Sequence, residues 1–383
     1  MALCWGFVLS TFTSCIAAIA VAAKPFSPSP SLKTFPLACI FFSVGLGQVL
    51  LPVKLRWLAR KRAYLVGALT GLVGCTVVTL GCAFESFALI CLGGCLEGMA
   101  VADGQNYRFA AMLLAPGAKE VAAGYVLLGG VLGAVLGPGV FTQARQLLEQ
   151  DFAGVFVLCV AAYVVTFCLL LLIQFPPVTT SQVGAASIPP RRLTTLLAQP
   201  MCLAGVCGTS MSYVTMMLIM APTPLVMTEV GGHSFQEASL VMMVHMVLMF
   251  APSLLTAKII VRIGPLGVAA CGCFLGFLCG AANLAGLGLP HFFIALGLLG
   301  LFWNQLFLAS TAMLAKTYEP QDGPKVQAAS DAIASGLSGL STLMSVNIID
   351  SVGWSGANVL AMALAVATML ALMSLKVLAD RAK

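Results

Sequence analysis

Apolar runs of about 20 residues, the length that crosses a ~30 Å hydrocarbon core as an α-helix, follow one another along nearly the whole chain. Bounded by Pro, Gly and charged residues, they predict helices over 2–23, 35–54, 63–83, 86–113, 120–143 and 153–174. A polar stretch, 175–199, then interrupts the pattern with Pro176, Pro177, Pro189, Pro190, Arg191 and Arg192. Six further helices are predicted over 200–222, 235–261, 265–288, 291–317, 324–349 and 355–377. In lipid each backbone N–H and C=O must pair internally, so the pattern implies an all-α integral membrane protein with twelve transmembrane helices. The expected organisation is an N-terminal six-helix bundle at 1–174, a cytosolic linker at 175–199 and a C-terminal six-helix bundle at 200–383.

Basic residues sort by loop under this count. One face collects Lys54, Arg56, Arg60, Lys61, Arg62, Arg108, Lys119, Arg191, Arg192, Lys258, Arg262, Lys316, Lys325, Lys376, Arg381 and Lys383, and the other keeps Lys24, Lys33 and Arg145. Sixteen against three is an asymmetry that an eleven-span count would scramble, and it places both termini in the cytosol. An internal repeat points to the same division: Arg56 and Arg60 match Lys258 and Arg262 at an offset of 202 residues. Ala111–Leu113 followed by Lys119 and Val121 is echoed by Ala312–Leu314 followed by Lys325 and Val326.

Composition fixes the solvent. The chain is 60% hydrophobic and 8% charged, with a mean hydropathy of +1.03, a balance suited to lipid rather than water. The formal charge of +6 does not point to nucleic acid, because the cations sit in short clusters between apolar runs instead of on one basic face. The 14 cysteines lie within or beside apolar stretches, and the closest sets (Cys91 and Cys95, Cys202 and Cys207, Cys271 and Cys273) have no histidine at metal-ligand spacing, so they read as packing residues with no metal or other cofactor implied. The first apolar run lacks a basic n-region and leads directly into further spans, which favours a first transmembrane helix over a signal peptide. It begins almost at Met1 without the usual polar cytosolic leader, as a trimmed product would.

An ionisable residue inside a span costs roughly 2.5–3.5 kcal/mol on insertion scales, so those that persist face protein or a water cavity. The helix predicted over 86–113 carries Glu97, Asp103, Gln105, Asn106 and Arg108. Glu97 lies nearest the membrane centre; it and Arg108 share a face about 16 Å apart along the axis, too far to pair. Glu97 and Asp103 are candidates for proton exchange, with interhelical hydrogen bonding, or for Asp103 pairing with a basic neighbour, as the plainer alternative. Arg108 presents a planar fork of donors suited to an anionic solute group, or snorkels at a cytosolic helix end or holds a gate. His245, with Met242, Met249, Pro252 and Thr256 at helical spacing, is a third proton-coupling candidate or a packing histidine.

Two further patterns concern the path. Asp331, Ser335, Ser338, Thr342 and Ser345 recur at steps of four and three, a polar stripe that lines a cavity or seals helix contacts. Tyr213, in line with Thr209, Met216 and Met220, and Asn304, beside Trp303 and Gln305 and one face from Thr311, are further cavity candidates. Asp331 itself also suits a helix N-terminus. Gly129, Gly133 and Gly137, followed by Pro138, allow close approach of a neighbouring helix. Arg60 and Arg262 occupy equivalent cytosolic loops and, with Asp331, are candidates for packing or gating.

The runs YRFAA (Tyr107–Ala111), GGVLGAVLGP (Gly129–Pro138), HMVLMFAPSLLT (His245–Thr256) and KVQAASD (Lys325–Asp331) resemble the major facilitator superfamily, and more closely its bacterial-type permease branch. The resemblance spans both halves. Its loop signature is degraded, since Lys54–Arg62 keeps the basic residues and lacks the aspartate of the family's interhelix charge pair. Gly133-x3-Gly137-Pro138 resembles the start of the family's antiporter signature without the two glycines that follow. The resemblance implies alternating access by two rocking bundles around a midplane site, a small-molecule solute and a monomer, and leaves the solute open.

A secondary transporter of a small organic solute is therefore the leading reading, with proton coupling and antiport as its expected variants. The competing readings are an intramembrane enzyme, for which no H-E-x-x-H pair or serine–histidine arrangement occurs, and a non-transporting membrane sensor or assembly partner. No G-x-x-x-x-G-K-[ST] run is present to bind ATP, so a gradient or a separate subunit must supply any energy.

Overall fold

The computed structural model describes residues 1–115, 119–175, 191–319 and 322–381, so most of the predicted linker lies outside the described residues, as does the side chain of Lys119. In chain order the helices are α1 (Ala2–Ala23), α2 (Phe35–Leu58), α3 (Arg60–Ala83), α4 (Phe87–Gln105), α5 (Tyr107–Leu114), α6 (Lys119–Val135), α7 (Ala153–Leu172), α8 (Leu193–Leu197), α9 (Pro200–Met220), α10 (Thr223–Glu229), α11 (Phe235–Phe250), α12 (Ser253–Ala285), α13 (Leu289–Ala315) and α14 (Gly323–Arg381). Every regular element among the described residues is helical, as apolar runs in lipid require.

Nine helical stretches among the described residues are long and apolar enough to cross a membrane, so the twelve expected passes do not stand as twelve separate helices. Two elements hold more than one predicted pass. The 59 residues of α14 would extend about 88 Å if straight, far beyond a ~30 Å hydrocarbon core. Gly353 breaks it with φ 73° and ψ 172°, and Gly264 breaks α12 with φ 78° and ψ 162° just before Pro265. Both backbones lie in a region that L side chains rarely adopt, so glycine supplies the turn.

Three other departures from the predicted boundaries have local causes. The span over 86–113 divides at Asn106, whose side-chain amide donates to the Ala102 carbonyl at 2.9 Å and to Gln48 Oε1 at 3.0 Å. The span over 120–143 leaves α-geometry at Leu136–Val140, a π-helical turn around Gly137 and Pro138, because proline has no N–H and crowds the preceding turn. The span over 235–261 is interrupted after Phe250, next to Pro252, and resumes as α12.

In the first half α1 packs on α4, α6 and α7, α2 on α4, and α3 on α4 and α7. In the second, α9 packs on α13 and α14, α12 on α13 and α14, and α11 on α13. Two principal seams cross between them, α2 with α14 and α6 with α11. Along α6 and the π-helical turn after it the small residues sit against α1: a Cβ on Gly129 would run into the Ala2 carbonyl, one on Gly133 would meet Leu9 Cβ at 2.6 Å, and one on Gly137 would run into the Thr13 hydroxyl. Thr13 also donates to the Gly133 carbonyl at 3.0 Å, a bond that closely approaching backbones permit.

Where the described chain resumes at residue 191, Arg191 is tied to the turn before α14. Its Nε donates to Asp322 Oδ2 at 3.0 Å and its backbone N–H to Oδ1 at 3.2 Å, while Lys325 Nζ lies 2.7 Å from Oδ1. Lys325, and then Arg191, hold the Asp322 carboxyl below the usual aspartate range, so this anchor stays charged at neutral pH.

Candidate functional site

A central cavity opens where α1, α2, the end of α4, α5 and α6 face α9, α11, α13 and α14. Its wall is aromatic and thioether-rich. Trp303 and Phe307, one helical turn apart on α13, stack with ring centroids 4.6 Å apart and planes 7° from parallel. Tyr213 meets both edge-on at 5.4 and 5.9 Å, and Phe250 meets Trp303 at 5.8 Å. Across the space α1 and α2 bring Trp5 and the edge-to-face pair Phe12 and Phe41, 5.5 Å apart. Met216, Met220, Met246 and Met249 fill the remaining apolar wall.

Polar groups on this wall are few. Thr13, Gln105 and Ser335 contribute neutral donors and acceptors, and Arg108 and Asp331 contribute the charges. Arg108 Nη2 stands 3.9 Å from Asp331 Oδ2, and its guanidinium lies 4.8 Å above the Phe109 ring. Arg108 Nε and Trp303 Nε1 are buried without a hydrogen-bond partner. Buried donors of this kind cost free energy until something accepts from them, so a ligand acceptor would favour a turn of either side chain toward the cavity.

Of the residues singled out from sequence, Gln105, Arg108, Tyr213, Met249, Trp303, Asp331 and Ser335 meet on this wall, together with Met216 and Met220. The others stand elsewhere. Asn304 is not on the cavity wall: it accepts from Thr256 at 2.6 Å and donates to the Met249 carbonyl and Ser253, fastening α13 to the α11–α12 turn. Ser338 and Thr342 are also off the wall, both buried on α14. Thr342 donates to the Ser338 carbonyl, and the Thr342 carbonyl accepts from Thr34 of the first half at 2.8 Å. His245 is fully buried, with Nδ1 2.8 Å from the Leu296 carbonyl, and joins α11 to α13. Arg60 borders a second hollow, and Arg262 is exposed at the α12 break.

The two carboxyls of α4 lie behind this wall. Glu97 is fully buried, accepting from the Thr11 hydroxyl at 2.6 Å and from the Cys75 thiol at 3.4 Å. Thr11 belongs to the same helix as Phe12 and Thr13, so α1 separates Glu97 from the cavity and touches both. Asp103 is bound to Lys54 of α2, the basic-neighbour alternative, and its carboxylate fills the space beside Gly67.

Sequence reasoning missed Trp5, Phe12, Phe41, Met246, Phe250 and Phe307 as wall residues. The available signal was the i, i+4 pairing of Trp303 with Phe307 and of Met246 with Phe250, which places bulky groups on one face of each helix.

At the end of the bundle that carries the α1–α2 loop, the halves are latched by charge. Glu229, closing α10, lies 2.9 Å from Lys24 and 3.2 Å from Lys33. Nearby, Phe152 meets Phe235 edge-on at 4.9 Å, with the Arg145 guanidinium 4.4 and 5.4 Å above their rings. The ion pairs are partly exposed, and such pairs contribute about 0.2–1 kcal/mol each. Glu229→Gln removes both pairs and is accordingly expected to raise the population open at this end by about two- to thirtyfold. The readout is the distance distribution between spin labels at Ser27 and Gly231, and an unchanged distribution would remove the latch from the opening equilibrium.

No family model matches the sequence. The riboflavin transporter RfnT of Brucella anthropi is 30% identical over 334 residues, covering 87% of this chain and 83% of that protein. The uncharacterized MFS-type transporter YddS of Bacillus subtilis is 25% identical over 330 residues, covering 82% of this chain and 76% of its own length. In fold the chain is similar to a D-xylose–proton symporter, with a TM-score of 0.72 at 15% identity over 97% of this chain and 95% of that one. The nucleoside transporter NupG gives a TM-score of 0.66 at 13% identity over 98% and 99% of the two chains.

Proposed function

Because this chain belongs to the major facilitator superfamily and carries a small solute across a membrane by secondary transport, we propose that its cargo is a flat heteroaromatic molecule of the riboflavin class. The observation that carries this reading is the stacked Trp303–Phe307 pair, edged by Tyr213 and Phe250, in a cavity whose charged groups are Arg108 and Asp331. A planar ring system gains stacking and apolar burial against such a wall. One guanidinium and one carboxylate balance each other, which suits a neutral solute with donors and acceptors on its rim. The relationship to a riboflavin transporter supports the same class.

The mechanism that fits these parts is alternating access between two six-helix bundles, 1–174 and 200–383, in twelve passes, with the breaks at Gly264 and Gly353 counted as turns between passes. Both termini and the Arg60 end face the cytosol, in keeping with the distribution of Lys and Arg. One chain builds the whole cavity, so a monomer is the working unit, and a carrier accounts for the site without any enzymatic step. Proton coupling is assigned to Glu97, whose bond to Thr11 ties its protonation state to the position of α1 and so to the cavity.

The test is uptake of radiolabelled riboflavin by cells that lack their own flavin transport. Saturable uptake that depends on this protein and is blocked by excess unlabelled riboflavin is expected. Absence of both such uptake and protein-dependent release of preloaded riboflavin, with the protein folded in the membrane, would exclude this class of cargo.

A further inference from the structure

A second hollow adjoins the cargo cavity between α2, α3, α5 and α14, with Gln48, Arg60, Asn106 and Gln327 among its wall residues. Asp331 borders both spaces. A chain of amides also runs from one to the other: Gln105, on the cargo cavity, accepts from Gln48 at 2.6 Å, and Gln48 Oε1 accepts from Asn106 at 3.0 Å. Side-chain amides and the Arg108–Asp331 pair therefore link the two hollows. Such groups can exchange their hydrogen bonds for those of a polar solute without leaving a buried donor unsatisfied.

The two spaces differ in chemistry. The first offers aromatic faces and thioethers; the second has a mostly apolar wall, with Leu51, Pro52, Leu55 and Leu113 in it, and carries three side-chain amides, a guanidinium and a carboxylate as its polar groups. Its aromatic rings are already engaged: Phe109 lies under the Arg108 guanidinium, and Tyr64 packs edge-on against Tyr107 at 5.2 Å. Arg60, Arg108 and Asp331 together leave one net positive charge over both spaces, which is weak compensation for the desolvation of a phosphate dianion. Neutral hydroxyl groups, each both donor and acceptor, match the amides best.

We infer that the second hollow is a binding station for the hydroxyl-rich tail of a cargo whose flat ring occupies the aromatic cavity, with the tail passing between Asp331 and the amide chain. This rests on the flavin-class cargo proposed above. It makes recognition bipartite, with ring and tail read by separate sets of residues. It also gives the tail an active part in transport, because the cargo itself replaces the hydrogen bonds of these linking groups on the side toward Arg60.

Fluorescence titration of the purified protein with riboflavin and with lumichrome, the same class of tricyclic ring without the ribityl tail, tests the inference. Wild-type protein is expected to bind riboflavin about tenfold more tightly than lumichrome, from one or two net hydrogen bonds. Gln327→Leu and Arg60→Met are each expected to weaken riboflavin by about three- to tenfold and to leave lumichrome within about twofold. Phe307→Ala is expected to weaken both. Gln327 also bonds Tyr318 at 2.6 Å, so Arg60→Met decides the matter if Gln327→Leu does not fold. Equal binding of the two ligands by wild-type protein, or equal losses for both in the station variants, overturns the tail station while leaving the flavin-class cargo intact. Binding of neither ligand by wild-type protein overturns that cargo, and this inference with it.

Discussion

Glu97→Gln is expected to abolish solute accumulation driven by a pH gradient while leaving exchange of labelled for unlabelled solute within about threefold of wild type. One proton moving down a one-unit gradient releases about 1.4 kcal/mol, enough to hold a neutral solute at about tenfold accumulation. In the variant that ratio should fall to about one. Glutamine keeps the size of the side chain and an oxygen to accept the 2.6 Å bond from Thr11, so the packing behind α1 survives and only the proton site is lost.

The experiment needs vesicles of defined sidedness, because the sign of the movement separates two couplings. With the transporter oriented as in the cell, symport fills vesicles whose exterior is acidic, whereas antiport empties them. Glu97 is suited to either, since it stands one helix away from the cavity and shares α1 with Phe12 and Thr13 on the cavity wall. Accumulation that survives in Glu97→Gln and disappears in Asp103→Asn would move the proton site to the Lys54-bound carboxyl. Survival in both would remove α4 from coupling altogether.

The passes were legible from sequence because their signal is local. A lipid-facing helix needs only about 20 apolar residues with polar punctuation, and the predicted spans over 153–174 and 200–222 correspond closely to Ala153–Leu172 and Pro200–Met220. What depends on distant partners was not legible. The break at Asn106 depends on Gln48, 58 residues earlier, and the surroundings of Glu97 depend on Thr11, 86 residues earlier. Neither pairing leaves a trace in local periodicity.

Polarity within a span marked residues that needed partners without saying who the partners were. For Arg108 and Asp331 the surroundings include the cavity, whereas Asn304 and Thr342 are used up in helix contacts. Tyr213 was found because it shares a helix face with two methionines; Phe12, Phe41 and Phe307 were not, because an aromatic residue in an apolar run looks the same on a cavity wall as in a packed core.

Arg108→Ala is expected to weaken cargo binding by roughly ten- to a hundredfold, the loss that follows when charge-assisted hydrogen bonds of about 1.5–3 kcal/mol are removed. Arg108 lines the cavity and its contact with Asp331 is long at 3.9 Å, so its guanidinium is not committed to a protein carboxylate. Arg108→Lys should recover little, because a single ammonium cannot reproduce a planar fork lying over the Phe109 ring. Asp331→Asn should cost less, since it keeps an acceptor and frees the guanidinium further. Equilibrium titration separates recognition from gating: a residue that only holds the gate would slow transport and leave the dissociation constant within about twofold. A dissociation constant unchanged in Arg108→Ala, with transport slowed, would therefore assign Arg108 to the link between the hollows beside Asp331 and leave the hydrogen bonding of the ring to Gln105, Ser335 and Trp303.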